Sequence, residues 1–508
     1  MDAVFDQGPP PPCPARFNLA AYVLALAPEI PDKIALAVLS PSGAQRWSYA
    51  RLEAAVRGTA AGLLDRGLQP GDRVFMRLGN TVEFPITFLA ALAADLIPVP
   101  TSALLTAPEV TKIANEIAPA LIVAEPGLSL PDPVPCPVIG TDTLATFHDL
   151  PPAEYAIGDP NRPGYIIYTS GTSGSPRAVT HAHRAIWARR LMWSGWYGLR
   201  PDDRLLHAGA FNWTYTLGTG LLDPWSIGAT ALIPGKGVTP AQLPLLLKRH
   251  DATIFAAAPG VYRQLLRHPV PQLPKLRHGL SAGEKLPDTT RAHWQEATGT
   301  QIHEAFGMSE CSTFVSGAPS HPAQDGTLGY PQPGRRVAVL GENGPVEADQ
   351  PGTLAVSSRD PGLMLGYWGQ PEETAARYNG GWFLTGDTVS MNADGAITYL
   401  GRSDDMMNAG GVRVSPIEVE TALNAHPGIH ECAAAEVRVK SDTTVIAAFY
   451  TADSDLDPAE LDRFASRSLA RYKAPRIYHR VAALPKNPNG KIQRRKLRAE
   501  WEAEHDQA

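Results

Sequence analysis

Short apolar runs alternate with longer helical patterns along the first two thirds of the chain. The runs are bounded by Gly, Pro and Asp, as is typical of strands buried on both faces; examples are residues 73–78, 120–124, 229–233 and 252–256. Apolar residues at helical spacing between such runs predict helices over residues 49–66, 240–249, 261–267 and 289–298. This alternation predicts an α/β fold with mainly parallel sheets flanked by helices.

The pattern changes twice in the last third of the chain. Past about Gly326, Gly-rich turns and short alternating runs predict an antiparallel β-rich subdomain. After Arg402 the pattern predicts helices over 416–425 and 458–468, strands over 431–439 and 445–450, and then a basic tail. We therefore expect an α+β arrangement overall, with a large domain (1–402) and a small mobile domain (403–508) joined at the polar segment 401–405.

Composition and charge narrow the class of protein. The chain has 508 residues, of which 44% are hydrophobic and 19% charged, which is typical of a globular protein with more than one core. The formal net charge of -6 provides no overall attraction for nucleic acid or for an anionic membrane. An anionic ligand must therefore be held by local features of a site.

The cysteines and the N-terminus indicate the compartment. Cys13, Cys136, Cys311 and Cys432 are scattered without a C-x-x-C pair, which argues against a zinc site or a disulfide framework and suits a reducing cytosol. Residues 1–16 contain acids and prolines where a signal peptide has basic and apolar segments. No apolar run reaches the roughly 18 residues that span a bilayer. We expect a soluble, cytoplasmic protein.

The segment YTSGTSGSPR at 168–177 follows an apolar run and is rich in glycine and hydroxyl groups. Its backbone N–H groups can form a concave anion site, although it lacks the Gly-Lys-[Ser/Thr] end of a Walker A loop. A mobile Ser/Gly linker has the same composition. Such a linker rarely lies between a buried strand and a helix, and residues 183–190 suggest a helix here. We interpret the segment as a phosphate-binding loop.

Six segments together carry a resemblance to a known family. Residues 168–183 resemble the phosphate loop of the adenylate-forming superfamily, which includes acyl-CoA synthetases, luciferases and the adenylation domains of peptide synthetases. Five further segments follow in the family's order: SAGEK at 281–285, EAFGMSE at 304–310, GWFLTGD at 381–387, GRSDD at 401–405 and PNGKI at 488–492. Each alone is compatible with an ordinary turn, core or surface role. Because all six segments occur in the family's order, the chain is identified as a member of the adenylate-forming superfamily.

The resemblance implies a two-step ligase reaction. A carboxylate attacks the α-phosphorus of ATP and displaces pyrophosphate, and a thiol then takes the acyl group from the adenylate. It also implies ATP, Mg²⁺ and coenzyme A as ligands. The nucleotide-binding positions carried over are Thr169, Ser170, Gly171, Thr172, Ser173, Gly174, Arg177, Ala282, Gly283, Glu284, Glu304, Ala305, Phe306, Gly307, Met308, Ser309, Asp387 and Arg402.

The resemblance also implies catalytic roles. Lys491 would bridge the substrate carboxylate and the α-phosphate, Glu310 would hold Mg²⁺, and Arg402 would contact phosphate or ribose. Asp404 would be the hinge about which the small domain turns between the two steps. Gly410 and Gly411 would then allow the pantetheine arm of CoA to approach the backbone.

The acyl pocket and two departures from the family pattern complete the expectations. The pocket candidates are mostly bulky and favour a small or flat acid: Ala210, Phe211, Trp213, Tyr215 and Ala305. In this the chain resembles benzoate-CoA ligases and medium-chain acyl-CoA synthetases more than long-chain enzymes. Arg177-Ala178 replaces the usual lysine and glycine, and Asn212 stands where many members have histidine.

Two other functions remain open at this point. One is a stand-alone adenylation enzyme that loads the thiol of a carrier protein. The other is a non-catalytic sensor of ATP or an acyl adenylate. No nucleic-acid partner is expected, and a homodimer is the assembly we consider.

Overall fold

The computed structural model describes residues 2–169, 176–403, 405–409, 412–440, 443–469, 471, 473–487 and 490–505, with the backbone alone at 408, 409, 412, 413, 440 and 443. The helices are Leu19–Val23, Tyr49–Leu64, Glu83–Ala93, Ala107–Ile117, Thr141–Phe147, Ala185–Arg189, Asp223–Ser226, Leu243–Arg249, Pro259–Leu265, Asp288–Thr298, Pro371–Ala375, Pro416–Asn424, Pro458–Ala465 and Arg494–His505. Short π-helices occupy Trp193–Tyr197 and Thr216–Leu222, and a 3₁₀ turn occupies Pro240–Gln242. The predicted α/β class is confirmed.

A large, mainly parallel sheet forms the centre of residues 2–402, which we call the large region. Its strands, in spatial order, are Tyr330–Pro331, Ser312–Ser316, Ile302–Met308, His278–Ala282, Ile254–Ala257, Arg204–His207, Thr230–Pro234, Ile34–Ser40 and Gly43–Ser48. The strands from Ile302–Met308 to Ile34–Ser40 run parallel, and the pairs at both edges are antiparallel. Because helices cover both faces, the central strands are mostly buried and rich in apolar residues.

A second parallel sheet and a short antiparallel sheet lie beside it. The parallel one contains Ile97–Pro100, Arg73–Arg77, Leu121–Ala124 and Val138–Gly140. The antiparallel one contains Gly366–Tyr367, Ala178–Ala182 and Pro163–Tyr168. The helix suggested over 183–190 is confirmed as Ala185–Arg189, but a strand that the sequence did not predict lies between it and the 168–177 loop. The chain first returns as strand Ala178–Ala182, paired with Pro163–Tyr168, and the helix begins only at Ala185.

The predicted β-rich part forms an antiparallel sheet. Its main strands, in spatial order, are Val4–Asp6, Arg336–Gly341, Gly352–Ser357, Trp382–Met391 and Tyr378–Asn379, with Gly344–Pro345 and Ile397–Arg402 paired alongside. Strand Trp382–Met391 alternates buried and partly exposed positions along its whole length. This period of two explains why the region was recognisable from its sequence.

Residues 405–505, which we call the C-terminal region, have a separate apolar core. A hairpin of Met407–Ala409 and Val412–Val414 precedes a sheet of Glu431–Lys440, Thr443–Thr451 and Ile477–Arg480. Helix Pro416–Asn424 packs on this sheet through Val419 and Leu423, and Leu461 joins them from the next helix. Across the described residues, no helix is long and apolar enough to cross a membrane.

Candidate active site

One cavity of about 750 Å³ lies between the large region and the C-terminal region. On one side it opens at the carboxyl ends of strands His278–Ala282 and Ile302–Met308, where ligands of parallel sheets commonly bind. The residues named from the sequence that line it are Thr169, Arg177, Trp213, Tyr215, Ala282, Gly283, Glu284, Glu304, Ala305, Phe306, Gly307, Met308, Ser309, Glu310, Asp387, Arg402 and Lys491. Tertiary folding therefore gathers residues from all six motifs.

Asp387 and Arg402 are placed opposite each other by an antiparallel strand pair. They are direct partners in the pairing of Trp382–Met391 with Ile397–Arg402, and Arg402 Nη1 lies 3.2 Å from Asp387 Oδ2. Tyr399 donates its hydroxyl to Asp387 Oδ1 at 3.1 Å. Burial raises the pKa of Asp387, and Arg402 and Lys491 oppose that rise. The result is a buried carboxylate with cations beside it, suited to accept hydrogen bonds from a diol.

Lys491 comes from the C-terminal region and reaches the same place. Its backbone N–H donates to Asn487 Oδ1 at 2.9 Å, and Gly490 adopts φ +86°, the left-handed conformation that such a turn favours. Burial lowers the pKa of Lys491, with smaller opposing effects from the carboxylates Asp387 and Asp405 and reinforcing effects from Arg402 and Arg494. A half-buried ammonium group thus lies near enough to Asp387 for the two charges to interact.

Gly283, Trp213, Phe306 and Glu304 form another part of the cavity wall. Gly283 has φ +99°, and a Cβ at this position would lie 2.6 Å from the Trp213 ring, so only glycine fits. Phe306 lines the cavity, with its ring centroid 5.6 Å from that of Tyr399. Glu304 is buried and accepts the Leu286 N–H at 2.9 Å and an Arg291 N–H at 3.1 Å. Burial raises the pKa of Glu304 to about 7. Glu304 thus connects strand Ile302–Met308 in the cavity wall to the start of helix Asp288–Thr298.

The two ends of the phosphate-loop segment are closed by hydrogen bonds. The Thr169 N–H donates to the Arg177 carbonyl at 2.9 Å, and the Arg177 N–H donates to Thr169 Oγ1 at 3.3 Å. The Arg177 guanidinium lies 2.8 Å from Glu373 and 5.1 Å from the centroid of the Tyr367 ring. The Tyr367 hydroxyl in turn donates to Glu310 Oε1 at 2.8 Å. Arg177 and Glu310 therefore share one polar wall.

The acyl-pocket candidates do not all reach the cavity. Trp213, Tyr215 and Ala305 line it. Phe211 instead points into the core, where its ring centroid lies 5.2 Å from that of Phe84, and its N–H donates to Asn80 Oδ1. Ala210 is exposed and lies outside the lining. Residues 212–215 all line the cavity, so only the part of the segment after Phe211 faces the ligand space.

An ion-pair cluster joins the two regions beside the cavity. Glu431 of the C-terminal region lies 2.9 Å from Arg263 of the large region and 2.7 Å from Lys486 of its own region. These cations lower the pKa of Glu431 and outweigh the opposing effect of burial. This cluster is a direct contact between the two regions at the edge of the cavity.

Some expected residues cannot be placed, and others were missed. Ser170, Gly171, Thr172, Ser173, Gly174, Asp404, Gly410 and Gly411 lie outside the described residues. Sequence reasoning missed Tyr399, which stands two residues before a recognised motif, and the cavity-lining Arg189, Thr219 and Ser312. No short motif marks the last three, because they converge from separate segments. Only their common cavity identifies them.

The comparisons with known proteins agree with this geometry. The AMP-binding enzyme family matches residues 26–368, and the C-terminal domain of AMP-binding enzymes matches residues 418–491. The chain is 32% identical to the benzoate–CoA ligase of Thauera aromatica, covering 89% of this chain and 91% of that one.

Solved structures show the same relationship. A benzoate CoA ligase from Burkholderia xenovorans LB400 superposes with a TM-score of 0.85 at 28% identity, covering 95% of this chain and 100% of that one. ATP-bound MatB from Rhodopseudomonas palustris superposes with a TM-score of 0.87 at 26% identity, covering 96% and 99%.

Proposed function

The chain belongs to the AMP-binding enzyme family, and from this premise we propose that it converts a small aromatic carboxylate into its CoA thioester. It is an ATP-dependent acid–thiol ligase that forms an acyl adenylate and then transfers the acyl group to CoA. The observation that carries the proposed substrate is the cavity. Trp213 and Tyr215 wall a space of about 750 Å³ that the nucleotide must share, which favours a small flat acid over a long chain.

The nucleotide lies along the Asp387–Arg402 end of the cavity. Asp387 accepts hydrogen bonds from the ribose diol, and Phe306 offers its ring to adenine beside Gly283. The loop that begins at Thr169 and ends at Arg177 holds the β- and γ-phosphates. Arg177 exchanges its contact with Glu373 for one with phosphate, because a phosphate is the more highly charged partner.

The residues fit Mg²⁺ bound together with ATP. Mg²⁺ prefers one or two carboxylates combined with substrate phosphates, and Glu310 offers a cavity-facing carboxylate hydrogen-bonded to Tyr367. When bound there, the ion would neutralise charge on the phosphates. Tyr367 keeps Glu310 oriented toward the same polar wall as Arg177.

Lys491 acts in the first step. A carboxylate oxygen of the substrate forms a bond to the α-phosphorus while the bond to pyrophosphate breaks, and both reactants are anions. The Lys491 ammonium lies between them and lowers their repulsion, and its partial burial strengthens that attraction. Arg402 adds a second cation at the same place.

The second step requires Lys491 to leave. We propose a boundary near residue 402, with domains 1–402 and 403–508 turning about Asp404. The segment around Gly410 and Gly411 then faces the adenylate and admits the pantetheine arm. The CoA sulfur attacks the acyl carbon, and AMP leaves with the carboxyl oxygen. The separate apolar core of the C-terminal region supports this division, because each part can move as a body.

The decisive experiment measures pyrophosphate release over a panel of carboxylates. Aromatic acids should release pyrophosphate faster than C3–C8 aliphatic acids, and palmitate should be slowest. Thioester formation is measured in parallel with CoA and with a phosphopantetheinyl carrier protein. Faster turnover of palmitate than of benzoates would overturn the aromatic assignment, and exclusive use of the carrier protein would overturn the CoA assignment.

The assembly and the compartment are also proposals. We propose a homodimer that works in the cytoplasm; the described cysteines Cys13, Cys136, Cys311 and Cys432 are all free thiols, as suits a reducing compartment. Sedimentation equilibrium would test the dimer, and fractionation of the source cells would test the location.

A further inference from the structure

A buried ionic cluster lies against the end of the cavity beyond Trp213 and Tyr215. Arg189 Nε donates to both carboxylate oxygens of Asp223 at 2.9 and 3.1 Å, and Nη2 lies 2.6 Å from Oδ2. The Tyr197 hydroxyl donates to Asp223 Oδ2 at 2.7 Å and lies 2.8 Å from Thr219 Oγ1. Arg189 Nη1 donates to Ser312 Oγ. Charged groups are rarely buried so deeply unless they are paired with a group of opposite charge.

The backbone around this cluster is irregular on several sides. Thr219 lies within the π-helix Thr216–Leu222, a form of helix that often occurs at functional sites. Gly218 of the same helix lies so close to Arg189 that an added Cβ would overlap the guanidinium. Ser312 has φ +66°, a conformation that costs a non-glycine residue free energy. The backbone is therefore packed closely around the Arg189 guanidinium.

The cluster has an inner and an outer face. Arg189, Thr219 and Ser312 line the cavity, whereas Asp223 and Tyr197 lie behind them. Because Tyr197 gives its only proton to Asp223, the Thr219 hydroxyl donates to Tyr197 and keeps a lone pair for the cavity. Within the part of the chain that the structure describes, Ser312 Oγ accepts from Arg189 and its own proton has no protein acceptor. The cavity is thus offered one acceptor and one donor, on two hydroxyls that both accept from the Arg189 guanidinium.

The charge of the cluster decides which ligand group fits. Asp223 already neutralises Arg189 through a bidentate pair, so a second carboxylate at this end would be a buried, uncompensated anion. An unsubstituted ring would leave the Ser312 proton and the Thr219 lone pair without partners. A neutral group that both donates and accepts satisfies both conditions. A hydroxyl on the ring does so, and an amino group does so less completely.

We propose that Arg189, Thr219 and Ser312 form a specificity site for a neutral hydrogen-bonding substituent, so that the preferred substrates are hydroxylated aromatic carboxylates rather than benzoate or aromatic dicarboxylates. This inference rests on the proposed function, since it assigns the far end of the same acyl pocket. Asp223 and Tyr197 are positioning residues, because they hold Arg189 and Thr219 without facing the ligand.

The test compares kcat/KM for adenylation across benzoate, the three monohydroxybenzoates, the three aminobenzoates, isophthalate and terephthalate. At least one hydroxybenzoate should exceed benzoate by ~10-fold or more, because a site built around a hydroxyl discriminates against an analogue that lacks it. Both dicarboxylates should be poorer than benzoate. If benzoate equals or exceeds every hydroxy and amino acid of the panel, the inference is wrong.

Variants show which side chains produce the preference for hydroxybenzoates. Ser312→Ala and Thr219→Val each remove one polar group from the cavity face and should lower the hydroxybenzoate-to-benzoate ratio of kcat/KM toward one. Arg189→Met combined with Asp223→Leu removes the charged pair together and should lower the same ratio. The control is Arg190→Met, which removes an arginine of the same segment that lies 4.1 Å from the centroid of the Trp187 ring, away from the cavity.

The readout is a ratio of substrates on one protein sample, so partial unfolding of a variant does not imitate the result. Ratios that stay at the wild-type value in both Ser312→Ala and Thr219→Val would overturn the inference. A wild-type enzyme that activates only aliphatic acids would instead overturn the proposed aromatic function. The two failures are therefore distinguishable.

Discussion

The two ends of the cavity are built in different ways. At the nucleotide end, Asp387 and Arg402 of the large region meet Lys491 of the C-terminal region, and an ion-pair cluster centred on Glu431 holds the two together. At the acyl end, Arg189 and Asp223 both belong to the large region and lie buried in its core.

The difference follows from what each end must do. A charge needed in one step and harmful in the next has to come from a part that can move away, held by a few contacts that are individually weak. A group that distinguishes substrates must stay in place, so it is fixed by packing and by hydrogen bonds within one core. The following predictions test this contrast, from the largest expected effect to the smallest.

The largest effect is expected for Lys491→Ala. Adenylation should slow by ~10²–10³-fold, as is typical when one charge-stabilising donor is removed. Thioester formation from supplied acyl adenylate should stay near the wild-type rate, because in the proposed rotation Lys491 leaves the site before that step. Stopped-flow measurement of each half-reaction checks this. Lys496→Ala, on the exposed face of the terminal helix, is the matched control. Equal loss in both half-reactions would refute the assigned role.

A smaller effect is expected for Asp387→Asn. The change keeps one acceptor but removes the charge that hydrogen-bonds the ribose diol, so KM for ATP should rise ~10-fold. KM for the carboxylate should change much less, because the acyl end is built from other residues. Initial-rate kinetics with both substrates varied give the two values. Asp394→Asn, in an exposed turn of the same sheet, should leave both values as in the wild type. Equal rises in both KM values would show that the two ends are not independent.

Glu431→Gln should shift the balance between the two steps. Loss of the contacts with Arg263 and Lys486 weakens the arrangement that presents Lys491, so adenylation should slow by about 2- to 5-fold, the range expected of partly exposed ion pairs. The thioester half-reaction should be unchanged or faster. Glu418→Gln breaks the Lys473 contact within the C-terminal region and serves as control. Slowing of the thioester step would count against this role.

The smallest effect concerns pH. Adenylation needs Lys491 protonated, and burial lowers the pKa of its ammonium, so the rate should fall on the alkaline side as the proton is lost. Asp387 and Asp405 oppose this lowering, whereas Arg402 and Arg494 reinforce it. Asp405→Asn removes one opposing carboxylate and should therefore move the alkaline limb to lower pH. Profiles of kcat/KM for pyrophosphate release measure the limb; an unmoved limb, or one at higher pH, would contradict the assignment.

Local pattern alone predicted most secondary-structure elements. The helix expected over 49–66 is Tyr49–Leu64, and the strand expected over 73–78 is Arg73–Arg77. The order of six motifs predicted the family. The failure to predict strand Ala178–Ala182 has a physical cause: the run is short and every position is buried, so it shows neither the period of a half-buried strand nor that of a helix.

The sequence by itself determined the fold class and the family, and it named Asp387, Arg402 and Lys491 as candidate nucleotide-site residues, because they lie in short recognisable motifs. Only the tertiary structure decided the acyl end. It turned Phe211 into the core and brought Arg189, Thr219, Asp223 and Ser312 together from three separate segments. The ligand group that these residues favour depends on which side chain neutralises which charge. That pairing exists only once the segments pack against one another.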